Sequence, residues 1–344
     1  MINKKLLAQV FNDEFELKNK TYKIDFSNFH PRIIVDDPQK VPNTLYKYVD
    51  VNGKHSISNL INYNLYCSEP DSFNDVFDTL YALIHPDAYS IELKGFERLL
   101  RIIFNDKSTL INEEKYKHKE KFAERCRDTI FNWWVSFNGI VCLTDSPESD
   151  LMWAHYTNNE GFALEFITEN LPPSFSNPIP IYYENLDKIL RLDKKNVLLE
   201  IYVRSLCKKT IWEYENEYRC FNYPNNQDYL NNYGLFTNQK YPGYKQERIT
   251  KYAKKSLKSI TLGFSFFKNL IHENFSDGYT IIYNEKSNKN IVQVTEFIIE
   301  EKLPCYLIFI NPKKTILERR LIKIEKIDVN MLRIFTSEQL KKPH

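Results

Sequence analysis

"SDLMWAHYTNNEGFALEF", residues 149–166, reads as a short helix, a polar turn and a strand. Met152 and Tyr156 stand four positions apart and share a helical face; Trp153 lies beside that face and His155 on another. The turn is TNNEG, residues 157–161, a composition that breaks helices. GFALEF then returns as an apolar strand with one carboxylate, Glu165, between Leu164 and Phe166. A Glu165 that faces inward needs a partner. The stretch thus divides into core, Met152 and Trp153, and pocket wall, His155 and Tyr156, whose rings each carry a polar tip.

Outward from this helix–strand pair, the same alternation recurs without a regular rhythm. TLYKYV (44–49), LYCS (65–68), IVCLT (140–144), IPIYY (179–183), YENEYRCFNY (214–223), SITLGF (259–264), TIIY (280–283) and CYLIFI (305–310) read as strands. SISNLINYNL (56–65), capped by Ser56, reads as a helix with Ile57, Leu60 and Ile61 on one face. IELKGFERLLRIIF (91–104), capped by Ser90, and NEEKYKHKEKFAERCRDTIFNWWVSF (112–137) read as two amphipathic helices, residues 192–210 and 265–275 also carry helical patterns, and EPDSFNDVFD (69–78) is a turn-rich loop. Irregular interleaving favours α+β over a βαβ repeat: a mixed sheet system with flanking helices. The strands near 45, 66, 141, 163, 217 and 261 are expected in one sheet system. Residues 1–43 read as a peripheral segment ending at DDPQKVPN, residues 44–310 as a single α+β domain, and 311–344 as a C-terminal extension.

Composition removes several function classes. With 8 glycines in 344 residues and no G-x-G-x-x-G or P-loop pattern, classical dinucleotide and P-loop chemistry is not encoded. A net charge of +2 gives no global field for nucleic acid. The six cysteines form no C-x-x-C pair, and most sit in apolar runs where a thiol acts as a small hydrophobe. Seven scattered histidines offer no zinc pattern, so no metal is expected, although Asp75, Asp78, Glu165, Glu215 and Glu217 could converge on a magnesium ion. No apolar run reaches the length of a membrane span, and the N-terminus lacks a signal peptide, so no membrane is expected and the reading is a cytoplasmic protein.

Two segments carry possible chemistry. In WEYENEYRCF (212–221) strand alternation sets Glu213, Glu215, Glu217 and Arg219 on one face, opposite Tyr214, Tyr218 and Cys220. Three carboxylates on one face repel unless cations lie among them; the alternatives are an edge strand with a local Glu–Arg pair or a carboxylate set over a pocket. In YKQERITKYAKKSLK (244–258) Arg248, Lys251, Lys255 and Lys258 recur at helical spacing. This is either a solvated helix face or a basic helix for a protein or nucleic-acid partner.

TLYKYV, LYCSEPDSFNDVFD, VCLTDSPESDLMWAHYTNNEGFALEF, WEYENEYRCF and SITLGF together resemble the signature of a widespread bacterial family, the domain of unknown function numbered twenty-nine seventy-one. The likeness covers roughly residues 44–310. More distantly, the order LYKYV, helix, LYCS and late YENEYR is similar to the ADP-ribosyltransferase superfamily, with Lys47 standing where that superfamily carries His or Arg. Lysine lacks the planar fork of arginine. The resemblance implies an ADP-ribosyltransferase-like fold and a chemistry on NAD, ADP-ribosyl transfer or NAD glycohydrolysis, in a toxin or phage-defence effector. It implies Glu217 as the residue that stabilises an oxocarbenium-like transition state, with Glu215 as its rival or as the group that orients the acceptor. Lys47 and Ser68 would hold ribose and phosphate, Tyr48 or Tyr156 would stack on nicotinamide, and His155 and Arg219 complete the site. The alternative is a non-catalytic module that binds a nucleotide-like small molecule, or a partner, in a bacterial defence or regulatory system.

Overall fold

The computed structural model describes residues 14–17, 19–25, 32–36, 41–70, 72–75, 77–78, 139–185, 197–222, 248–275, 278–283 and 289–336. In chain order the strands are β1 (Phe15–Leu17), β2 (Lys20–Asp25), β3 (Arg32–Asp36), β4 (Thr44–Val49), β5 (Asn64–Tyr66), β6 (Gly139–Thr144), β7 (Phe162–Ile167), β8 (Ile179–Pro180), β9 (Tyr182–Tyr183), β10 (Cys207–Lys208), β11 (Glu217–Asn222), β12 (Ile249–Lys251), β13 (Leu257–Leu262), β14 (Ile271–Phe275), β15 (Gly278–Ile282), β16 (Cys305–Asn311), β17 (Ile316–Asp328) and β18 (Met331–Thr336). The α-helices are α1 (Ser56–Ile61), α2 (Asp150–Thr157), α3 (Val197–Arg204) and α4 (Lys289–Glu301). The two helices read over 90–104 and 112–137 lie outside the described residues.

An 11-stranded sheet in the order β14-β15-β18-β17-β16-β13-β7-β4-β6-β11-β8 organises the molecule. Its pairs are antiparallel except β13 with β16, and the connection between those two contains α4, as a parallel pair requires a crossover. The class is mixed α+β with one large mixed sheet. The sheet runs on through β17 and β18, so residues 316–336 belong to it as much as the strands before residue 310 do. β1–β3 form a separate three-stranded sheet.

Alternation gives the sheet two unlike faces. Leu45, Leu143, Phe162, Leu164, Phe166, Leu257, Leu262 and Leu307 fill one apolar face, which α4 covers with Ile291, Val294, Phe297 and Ile298, one stripe of its helix. The other face carries a smaller cluster, Tyr48, Met152, Trp153, Ala163 and Ile308, and with it most of the buried charge among the described residues: Asp78, Glu165, Lys208, Glu215, Glu217 and Arg219. Burying so many ionic groups on one side of a sheet is unusual for mere packing, and this face holds the candidate site.

Several sequence expectations change here. β5 is not in the main sheet: it pairs with β12, and only Ser68 beyond it bridges to Ile140. The N-cap of α1 is His55, not Ser56, and its side chain does not cap the first turn. Residues 264–270 are turns and 271–275 a strand, where a helix was expected, because Phe266, Phe267 and Leu270 all turn inward at once. The basic helix expected over 244–258 does not form in its described part. β12, a 3₁₀ turn at Lys254–Ser256 and the start of β13 occupy it. Arg248 is buried there, and Lys258 reaches Glu165, so its cations do not share one solvent-facing stripe.

Candidate functional site

The helix of the opening stretch is set by local chemistry. Ser149 caps α2, its hydroxyl accepting from the Met152 amide at 3.3 Å. Asn158 and Asn159 end it in the left-handed region, at φ 51° and 63°, which asparagine tolerates better than other non-glycine residues. Trp153 is fully buried, edge-on to Tyr48 at 4.8 Å, and donates from Nε1 to the Pro147 carbonyl at 2.8 Å. Met152 joins it in the core, as expected. This packing fixes α2 over β4 and leaves Tyr156 half-buried and His155 exposed on its free side.

The partner of α2 is the segment read as one long strand at 212–221. Residues Thr210–Glu215 are instead a 3₁₀ helix, and Asn216, left-handed at φ 41°, turns the chain into β11. β11 is not an edge strand; it lies between β6 and β8. The 3₁₀ turn sends Glu213 to solvent, while Glu215, Glu217 and Arg219 converge.

They meet Asp78 and Lys208 in a buried ionic cluster. Arg219 donates from Nε to Glu217 Oε1 at 2.7 Å and with both terminal nitrogens to Asp78, at 2.8 and 2.5 Å. Lys208 Nζ lies 2.5 Å from Glu215 Oε2, 2.8 Å from Glu217 Oε2 and 3.5 Å from Asp78 Oδ2. The second oxygen of Glu215 accepts the Tyr156 hydroxyl at 2.6 Å. Tyr183 receives the Glu217 backbone amide at 2.8 Å.

Three carboxylates face two cations, so one negative charge is in excess. The carboxylates divide the consequence unequally. Burial opposes ionisation of Glu217, but Arg219 and Lys208 outweigh it and hold its carboxyl at about 2. Burial raises Glu215, against the pull of Lys208 and with the charge of Glu217 adding to it. Asp78 is raised in the same way, by burial first, despite Arg219. Glu215 and Asp78 are thus shifted toward the protonated form and Glu217 away from it.

Outside the cluster lies an aromatic wall. His155 Nδ1 is 2.8 Å from the Tyr214 hydroxyl, with the rings edge-on at 5.8 Å. Trp212 is tilted against Tyr214 at 6.1 Å, and Lys208 Nζ lies 5.5 Å from the Trp212 ring. Ile211 and Leu151 are exposed on the same pair of elements.

Of the residues singled out from sequence, Glu215, Glu217, Arg219, Tyr156 and His155 come together. Lys47, Tyr48 and Ser68 do not join them. Lys47 pairs across the sheet with Leu164, a residue of the apolar face, and its Nζ donates to the Cys142 carbonyl at 3.3 Å. Tyr46, its neighbour, stands opposite Thr144, which stands opposite Glu217. Lys47 therefore leaves from the face opposite Glu217. Tyr48 is buried under Trp153, its hydroxyl donating to the Ser146 carbonyl at 3.2 Å. Ser68 pairs with Ile140, four residues along β6 from Thr144 and so about 13 Å away.

Sequence reasoning missed Lys208 and Trp212 as site residues, and treated Asp78 only as a possible metal ligand. Among the described residues no group of His, Cys, Asp or Glu side chains could hold a metal ion. Reasoning from sequence also missed Arg319. Glu165 has its partners in Lys258 at 2.7 Å, Ser259 at 2.5 Å and Arg319 at 2.7 Å, which outweigh burial and hold it at about 2. This second cluster shares the sheet face of the first, with Tyr46 between them. No described helix is long and apolar enough to cross a membrane. Comparison with family models, with curated proteins and with solved structures gave no match.

Proposed function

We propose that the chain binds a nucleotide-like small molecule against the wall of His155, Tyr156, Trp212 and Tyr214, with Glu215 as its polar floor. The Tyr156–Glu215 hydrogen bond carries this reading, because it joins an exposed aromatic surface to a buried, cation-backed carboxylate. A planar ring stacks on such a wall for about 1–3 kcal/mol per aromatic contact, and the carboxylate can accept a ribose hydroxyl or a ring N–H. This is the binding-module reading, and the placement of Lys47 on the other sheet face supports it over the transferase likeness.

Chemistry on NAD is the second reading, and one observation favours it: a buried carboxyl, Glu215, whose proton affinity burial raises, contacts the wall through the Tyr156 hydroxyl at 2.6 Å. In that reaction the ribose C1′–N bond breaks, its electron pair leaves with neutral nicotinamide, and a carboxylate stabilises the cationic sugar. Water or an acceptor hydroxyl then adds to C1′ and gives up its proton. Both oxygens of each glutamate are engaged, those of Glu217 by Arg219 and Lys208 and those of Glu215 by Lys208 and Tyr156; Glu215 suits that role better because its Tyr156 partner belongs to the wall.

The test is calorimetric titration of NAD⁺, ADP-ribose and AMP, with free nicotinamide measured in parallel. Binding that weakens at least about tenfold in Tyr214→Ala and His155→Ala, at unchanged melting temperature, supports the wall as the site. No binding of any of the three, or equal binding to the variants, refutes it. Nicotinamide release abolished in Glu215→Gln selects the second reading.

A further inference from the structure

The rings of the wall form a corner. Tyr214 and His155 stand at 71° to each other, joined by the 2.8 Å contact between the hydroxyl and Nδ1, and Trp212 is inclined by only 38° to Tyr214. The face of an aromatic ring is electron-rich and attracts a cation, and a corner offers it two such faces. Trp212 already makes this contact inward, with the Lys208 ammonium 5.5 Å from its centroid.

The charge around these rings has the sign that suits a cation. The two wall elements, α2 and the 3₁₀ helix, read DLMWAHYT and TIWEYE. Neither holds a Lys or Arg, whereas together they hold Asp150, Glu213 and Glu215. Asp150 and Glu213 are exposed, and Glu215 stands behind Tyr156. The two lysines next to the wall are engaged elsewhere. Lys208 is buried, with carboxylate oxygens of Glu215, Glu217 and Asp78 at 2.5, 2.8 and 3.5 Å. Lys209 turns its Nζ to the Phe77 ring at 3.4 Å. A phosphate on this wall meets no cation from either element and two exposed carboxylates that repel it.

We infer that the wall reads the charge of the ring it stacks, taking an N-alkylated, cationic heteroaromatic ring in preference to the neutral ring of the same shape. Alkylation of a ring nitrogen puts the positive charge in the plane that stacks. It also makes the ring's amino or amide N–H a stronger donor to a carboxylate. This selectivity rests on the binding reading proposed above and adds to it the charge of the ligand's ring.

Matched pairs test it, by calorimetric titration of the full chain near pH 7. The pairs are 1-methylnicotinamide against nicotinamide, for a pyridinium, and 1-methyladenosine against adenosine, for an alkylated purine. In at least one pair the cation should bind at least about tenfold more tightly than its neutral parent, and that pair names the source of the ring. Trp212→Leu keeps an apolar side chain without the π face and should cut the preference to about twofold. Glu213→Gln, on an exposed side chain, should weaken the cation about twofold and leave the neutral parent unchanged. Equal affinity within both pairs overturns the charge selection, as does a preference that survives Trp212→Leu in full or no binding of any of the four rings. If AMP still binds in those cases and Tyr214→Ala still weakens it, the nucleotide site stands and only the selectivity falls. If AMP, ADP-ribose and NAD⁺ fail as well, the site falls with it.

Discussion

Glu217→Gln separates a carboxylate that holds the fold together from one that reacts. Glu217 is 4% exposed, with Arg219 Nε at 2.7 Å and Lys208 Nζ at 2.8 Å. Burial raises its proton affinity, the two cations lower it more, and the result takes the carboxyl from 4.5 to about 2. At about 1.4 kcal/mol per pH unit, this favours the charged folded state by about 3 kcal/mol. Because the folded value is depressed, the contribution is complete above pH 4.5 and is lost as pH falls through about 2. Glutamine keeps the shape without the charge. It also removes the excess negative charge that presses on Glu215 and Asp78, so about 3 kcal/mol is a ceiling on the loss. Urea unfolding at stepped pH, with the slope unchanged, should show a deficit of about 2–3 kcal/mol at pH 6 that closes toward pH 2. Wild-type stability at pH 6, together with lost turnover of a bound ligand, would refute this and return Glu217 to the reacting group.

The second cluster predicts a contrast between its two cations. Arg319→Met leaves Glu165 buried without its 2.7 Å partner and should cost about 3–5 kcal/mol, whereas Lys258→Met, on a side chain 51% exposed, should cost less than about 1 kcal/mol, both read by urea unfolding. Trp153→Ala empties a fully buried site and strands the Pro147 carbonyl, so a loss of about 3–5 kcal/mol is expected in the same assay. Burial pushes the Cys67 and Cys207 thiols up to about 12. A thiol reagent at pH 8 should therefore modify them at least about a hundredfold more slowly in native than in urea-unfolded protein.

The helix–strand reading of 149–166 survived because its signals are local: a serine cap, two asparagines at the turn, and an apolar run. The convergence of Glu215, Glu217 and Arg219 was half legible, since alternation put them on one face. It could not show the 3₁₀ turn, because alternation says nothing of the left-handed angle of Asn216 that ends it. Asp78 lies far from β11 in sequence, and Lys208, though only seven residues before Glu215, reaches it because the chain turns back through the 3₁₀ segment, so no strand spacing announces either. Lys47 shows the opposite failure. Motif order suggested that it meets Glu217, but the order of elements does not say which face a residue leaves from; the register of β4 with β6 and β7 does. The basic run at 244–258 misled for a similar reason, as helical spacing of cations in so short a run also fits strand and turn once Leu257 and Ile260 are drawn into the core.

The central claim is that a nucleotide-like ligand sits on the wall between α2 and the 3₁₀ segment. Hydroxyl-radical footprinting with and without saturating NAD⁺ tests it most directly, because the wall is made of readily oxidised aromatic rings. Oxidation of His155, Trp212 and Tyr214 should fall at least about threefold on ligand addition, with exposed Tyr66 of β5 unchanged as the reference. Unchanged oxidation of all three rings, or protection confined to residues 44–49 and 64–68 around Lys47, would contradict it.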